Sequence, residues 1–347
     1  MSRTFTRRHA TALALSAAAA MGVTSCVAGE GSASSAGGAP GSAGGDWSTS
    51  SFTLDWATYN PLSLIVRDQG LIEAALGDGV TVEWVQSAGS NKANEFLRSG
   101  SASIASTAGS AALLARANGS PIKVVGIYDQ PEWSALVVGP DSDITGPADL
   151  AGRAVAATPG TDPYFFLIQT LAEAGLTLDD IELQPLQHAD GRSALEGGSV
   201  DAWSGLDPIM GAAEVESGAQ LVYRNVDFNT YGFLNATEDF IDNHPDVLQV
   251  VLDAYEEARS WAVEHPAETA ALLAESAGID EAVATTVIEE RTNLDVSGIP
   301  GDDQLAVLET IAPVIADSGD VAGGAEAVQE ALESIIHADF AAAAVGQ

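Results

Sequence analysis

The stretch AVAATPGTDPYFFLIQTLAEAGL, residues 154–176, decides the fold. Val155, Ala156 and Ala157 form a small, β-prone run. A Pro-Gly-Thr-Asp-Pro turn follows, and then Phe165, Leu167, Ile168, Leu171 and Ala174 recur at helical spacing. The turn predicts a helix start, with Asp162 as cap, Pro163 in the first turn and Gly175 ending the helix. A strand that passes through a Gly/Thr turn into a helix leaves several backbone N–H groups unpaired and facing outward. That is a seat for an anion or another hydrogen-bond acceptor.

The same unit recurs on both sides of this stretch. Upstream, strands are predicted at 52–58, 80–86, 103–106, 122–128 and 135–138, with helices at 62–69, 91–98 and 111–118. Downstream, strands at 181–186 and 200–203 alternate with helices at 192–196 and 209–216; short strands at 221–223 and 230–234 lead back. From His244 the pattern turns helical, at 245–264, 266–277, 281–291, 302–317 and 325–336. Repeated βα units imply parallel sheets, with ligands beyond the carboxyl ends of the strands. The chain reads as two α/β lobes with a helical return.

Four loops share one design: 87–91, 107–110, 158–163 and 205–208. Each is small, polar and Gly-bearing, and each joins a strand to a helix. Converging N–H donors and hydroxyls would hold the oxygens of a sulfonate, phosphate or carboxylate. The plain alternative for any single loop is helix capping, which applies with particular force to Asp162 and Asp207. Tyr59, Trp133 and Trp203 sit beside such loops and suit the walls of a cleft. Glu132, Asp162 and Asp207 are acids in the same places. One facing the cleft would suit an amino group or repel unwanted anions.

Charge narrows the function. The chain of 347 residues has a formal net charge of −36, which excludes nucleic acid and anionic lipid surfaces as partners. The five histidines are scattered without metal-ligand spacing, so neither metal nor cofactor is expected. No serine elbow, phosphate-loop lysine or metalloprotease motif is present, and no enzymatic activity is expected.

Residues 1–26 read as an export signal, with Arg7 and Arg8 before an apolar run that ends at Val23-Thr24-Ser25-Cys26. Small residues before the chain's one cysteine resemble a bacterial lipobox, which makes Cys26 the lipidation site. Residues 27–50 are rich in Gly, Ala and Ser and read as a flexible tether. Its reach is roughly 25–30 Å for a flexible coil. The first lobe is expected at 51–138 plus 235–347, and the second at 139–234.

The segments YNPLSLIVRDQG, VEWVQSAGSNKANEFLRSG, STAGSAALLARANG, ADLAGRAVAATPGTDPYFF, LAEAGL and VDAWSGLDP resemble solute-binding proteins of ABC importers. The likeness is to the aliphatic-sulfonate, nitrate and taurine group, over about 51–264. It implies a two-lobed type II periplasmic-binding-protein fold that closes on a small organic anion, most directly an aliphatic sulfonate. It also implies an importer permease as partner, a monomeric body outside the cytoplasm and contact with the membrane through the lipid anchor alone. The positions carried over are Tyr59, Asn60, Ser90, Thr107, Gly109, Ser110, Glu132, Trp133, Thr161, Asp162, Trp203 and Asp207. These loops contain no arginine to pair a sulfonate, so taurine, nitrate and a thiamine-precursor pyrimidine stand beside it. Two other classes are a pyrimidine-synthase-like enzyme, which would need a His/Cys cluster, and a structural or sensory surface lipoprotein.

Overall fold

The computed structural model describes residues 46–346, all within one compact unit, 43–347. The expected signal segment, Cys26 and most of the expected tether lie outside the described residues.

The chain begins with β1 (Ser51–Trp56), α1 (Pro61–Gln69), α2 (Leu71–Leu76), β2 (Thr81–Gln86), α3 (Ser90–Ser99), β3 (Ile104–Ala108) and α4 (Gly109–Ala117). Next come β4 (Ile122–Pro131), β5 (Ser134–Val138), β6 (Ala154–Ala157), α5 (Asp162–Glu173), β7 (Glu182–Pro185) and α6 (His188–Glu196). After these stand β8 (Ala202–Leu206), α7 (Ile209–Ser217), β9 (Gln220–Tyr223) and β10 (Gly232–Thr237). The helical return holds α8 (Glu238–Asn243), α9 (Pro245–Glu264), α10 (Pro266–Ala277) and α11 (Glu281–Thr286). It closes with a π-turn (Val287–Arg291), β11 (Thr292–Asn293), α12 (Asp302–Asp317), α13 (Gly324–Ser334) and α14 (Asp339–Ala344).

Two sheets result, ordered β11-β4-β10-β3-β1-β2 and β7-β6-β8-β5-β9. Within them β1 runs parallel to β2 and β3, and β6 parallel to β7 and β8. The expectation of wholly parallel sheets is corrected at three strands, one of them the short edge strand β11, antiparallel to β4. β5 is antiparallel to β8 and β9, and β10 is antiparallel to β3 and β4. Both enter their sheet straight after the chain has passed from the other one, at 131–134 and 223–232, and so arrive from the opposite end. Accordingly the five-stranded sheet already includes Ser134–Val138, and the six-stranded sheet includes Gly232 onward.

Central strands β3, β5 and β8 are buried along their whole length, as strands covered on both faces must be. Helix α9 lays Val247, Leu248, Val251, Leu252, Tyr255, Ala258 and Ala262 along one stripe against the six-stranded sheet. Leu308, Ile311 and Ile315 of α12 join Leu113 of α4 and Phe165 of α5 in a second core. Residues at the end of the expected tether are attached to the body: Trp47 Nε1 donates to Leu76 O at 3.0 Å, and Ser48 N donates to Asp246 Oδ2 at 2.9 Å.

Candidate functional site

Between the two sheets lies a cleft of about 520 Å³. Its walls are the loops that follow strands: 58–59 after β1, 86–88 after β2, 187–189 after β7 and 206–209 after β8. The loop at 276–279 closes one side. Helices α6 and α7 begin at this cleft, which brings positive dipole ends to it, and α3 begins at Ser90 beside the small neighbouring space. Arg192 lines it too, with Nε on Glu196 at 2.7 Å and Nη2 on Glu216 at 2.6 Å, so its charge is already matched. Tyr59 and His188 border both this cleft and a small neighbouring space of about 10 Å³ that touches Ser90, Trp133, Thr161 and Asp162.

Asp162 holds the centre of the contact between the sheets. It is the first residue of α5, with Thr161 in the capping position, so it does not cap the helix as expected. Its carboxylate is buried and turned away. Oδ2 accepts from Trp133 Nε1 at 2.9 Å and from Thr230 N at 2.7 Å. Oδ1 accepts from Thr230 Oγ1 at 2.8 Å and from Ser110 Oγ. Of these donors Ser110 belongs to the loops expected to hold a ligand anion and Trp133 was an expected cleft wall, and the protein's own carboxylate occupies both. Burial pushes the Asp162 carboxyl up, while the four donors pull it down.

The start of α4 is likewise spoken for. Gly109 N donates to Tyr231 O at 3.0 Å and Ser110 N to Thr230 Oγ1 at 3.2 Å. Thr107 lies within β3, buried, with its hydroxyl between Ala108 O and Asn235 Nδ2 at 2.9 Å each. Ser90 Oγ accepts from Ala108 N at 2.9 Å and ties α3 to β3. Thr161 Oγ1 donates to Thr158 O at 2.6 Å, inside its own turn.

The remaining expected residues divide between cleft and scaffold. Tyr59 faces the cleft and donates to Ser106 O at 3.0 Å. Asn60 is a buried helix cap, accepting from Ser63 N at 3.1 Å, and borders neither space. Glu132 pairs with Arg224 at 2.7 Å. Trp203 is fully buried beneath α6, whose Gly191 lies so close that a Cβ there would sit 2.8 Å from the indole; it is core and does not wall the cleft. Asp207 borders the cleft but is bound to Arg291 at 3.2 Å and to Gly211 N at 2.9 Å. Burial raises its carboxyl to about 6 in spite of the guanidinium. Arg291 stands at the end of the π-turn and also reaches Glu214 at 2.6 Å.

His188 is the residue that sequence reading passed over. The helix expected at 192–196 begins at His188 instead, and Gly191 within it permits the close approach to Trp203. Thr158 Oγ1 donates to Leu186 O at 2.7 Å, which uses its one hydrogen. The hydroxyl oxygen, 3.2 Å from His188 Nδ1, therefore accepts, and the proton of the neutral ring lies on Nδ1. Nε2 is a bare acceptor, buried and without a partner among the described residues. Burial pushes the imidazole down to about 3.

Comparison with known proteins agrees with this layout. Residues 77–269 match the family described as NMT1/THI5 like. A protein of Escherichia coli (strain K12) named as an aliphatic sulfonates-binding protein is 29% identical over 230 residues, covering 66% of this chain and 72% of that one. The alkanesulfonate-binding protein SsuA from Xanthomonas axonopodis pv. citri, solved bound to MOPS, superposes with a TM-score of 0.70 at 22% identity over 85% of this chain and 98% of its own. The desulfurization enzyme DSZB shares the fold as well, with a TM-score of 0.62 at 18% identity over 86% of this chain and 99% of its own. The architecture is thus the periplasmic-binding-protein fold, and with more than half of its length matched the chain belongs to the NMT1/THI5-like family.

Proposed function

We propose that this protein is the extracytoplasmic solute-binding component of an ABC importer and that it captures a small organic anion of the aliphatic-sulfonate class. The observation that carries the reading is the meeting of the α6 and α7 starts at one cleft between two sheets, with the α3 start at the small space beside it. Oriented N–H groups stabilise an anion locally even in a chain with a net charge of −36. The relatives named for sulfonate binding support the ligand class.

On this reading each sheet is the centre of one lobe. The lobes meet at the passages 131–134 and 223–232, and they close on the ligand as periplasmic binding proteins do. Tyr59 and the loops at 87–91 and 205–208 border the ligand, with Ser110, Trp133, Thr161 and Asp162 behind them. Cys26 carries the lipid, the body acts as a monomer, and the importer's permease is its partner. No covalent chemistry is assigned to it.

A thermal-shift screen of alkanesulfonates tests the proposal. A ligand at about 100 times its Kd stabilises the folded state by about 2.7 kcal/mol. Absence of a shift with every sulfonate tried would remove the ligand class.

A further inference from the structure

We propose that His188 Nε2 is a specificity-determining acceptor that selects sulfonates carrying an N–H donor, such as an ammonium group, over plain alkanesulfonates. The inference rests on the sulfonate reading above and narrows it. Three observations carry it. The Thr158 hydroxyl sets the protonation of the ring and leaves Nε2 with its lone pair free. Nε2 is buried, has no partner among the described residues, and belongs to a side chain that borders both the cleft and the small space beside it. Gly89, just before α3, approaches so closely that a Cβ there would lie 2.9 Å from Nε2, so the ring edge is held against the start of that helix.

Sulfonate oxygens only accept hydrogen bonds, so a plain alkanesulfonate leaves this nitrogen unmet. An acceptor left unpaired in a closed site penalises the ligand that fails to pair it. The surroundings favour a cationic donor over a hydroxyl. Glu196 and Glu216 outnumber Arg192 in the cleft lining, and Gln187 of the same lining carries a second buried acceptor, its amide oxygen. A ligand with an anion at one end and an ammonium at the other would meet the helix starts and His188 together. Because the ring is neutral well below physiological pH, it does not repel that ammonium.

The test is calorimetric titration of the mature chain with two isosteric probes, ω-aminopropanesulfonate and butanesulfonate, which differ by an ammonium in place of a methyl group. The amino probe is expected to bind about tenfold tighter or more, since one such hydrogen bond is on the order of a factor of ten. His188→Phe should bring the two affinities within about threefold, by weakening the amino probe and lifting the penalty on butanesulfonate. His188→Asn, which keeps a donor toward Thr158 but has no atom at Nε2, should do the same and guards against a misfolded Phe variant. Equal binding of both probes by the unaltered protein, or a preference for butanesulfonate, overturns the inference and leaves the sulfonate reading intact. A preference that survives both substitutions overturns the assignment to His188. Binding of neither probe overturns inference and sulfonate reading alike.

Discussion

Trp133 Nε1 donates to Asp162 Oδ2 at 2.9 Å, so a residue of the passage between the sheets grips the first residue of α5. Thr230, on the return passage, grips the same carboxylate through its N–H and its hydroxyl. The two donors on Oδ2 are fixed N–H groups, whereas both partners of Oδ1 are hydroxyls that can turn to accept. An asparagine can therefore satisfy the site with its oxygen on Trp133 and its NH₂ on Ser110 and Thr230. Asp162→Asn should cost only about 1 kcal/mol, while Asp162→Leu, which strands four donors, should cost about 3 kcal/mol or more. Urea denaturation of the two variants gives both values, and equal losses would show that the charge itself matters.

Thr161→Val is expected to act on stability and not on recognition. The hydroxyl donates to Thr158 O at 2.6 Å, and the valine leaves that carbonyl without its partner. A loss of about 1–3 kcal/mol in the unliganded protein should accompany an unchanged Kd. Weakened ligand binding with intact unliganded stability would move the hydroxyl into the ligand's shell.

Asp55 ties stability to pH. Its Oδ1 accepts from Ser106 N and Oγ at 2.8 Å each, Oδ2 has no partner among the described residues, and burial raises the carboxyl to about 7. The folded state therefore holds the proton more tightly than the unfolded state. Its contribution is complete below the unfolded value of 3.8 and is lost as pH rises through about 7. Asp55→Asn, which never ionises, should match the parent near pH 4 and exceed it near pH 8 by on the order of 2–4 kcal/mol. Unfolding titrations at both pH values check the sign; an advantage that shrinks with rising pH would contradict it.

Arg291 is the cation on which buried Asp207 depends, with side-chain exposures of 8% and 4% that leave water little access to either. Arg291→Met should cost about 3–5 kcal/mol, because an unpaired buried carboxylate remains. Adding Asp207→Asn should return much of the loss. A double-mutant cycle by chemical denaturation measures the coupling, and purely additive losses would show that the Gly211 N–H suffices for Asp207.

Where local chemistry decides, the sequence was legible. Asn60 and Pro61 announce α1, the apolar stripe of 245–264 announces α9, and the AVAA run leads into α5 as read. The reading failed where a partner lies far along the chain. Asp162 looks like a cap because it precedes Pro163, yet its acceptor role is set by Ser110, 52 residues away, and by Thr230, 68 residues away. Trp203 looks like a cleft wall until Gly191 brings α6 down over it. His188 has no local signature, since the hydroxyl that orients it belongs to Thr158, 30 residues earlier.

The π-turn at Val287–Arg291 interrupts the helix expected over 281–291 and widens its last turn. An α-helix advances about 100° per residue, so deleting one residue from that turn would restore the regular spiral and carry Arg291 about a quarter of the way around the axis. The guanidinium would then leave both Asp207 and Glu214. This ion pair is encoded by chain length as much as by residue identity. Shortening the segment by one codon, with every charged side chain retained, should be as damaging as removing the arginine.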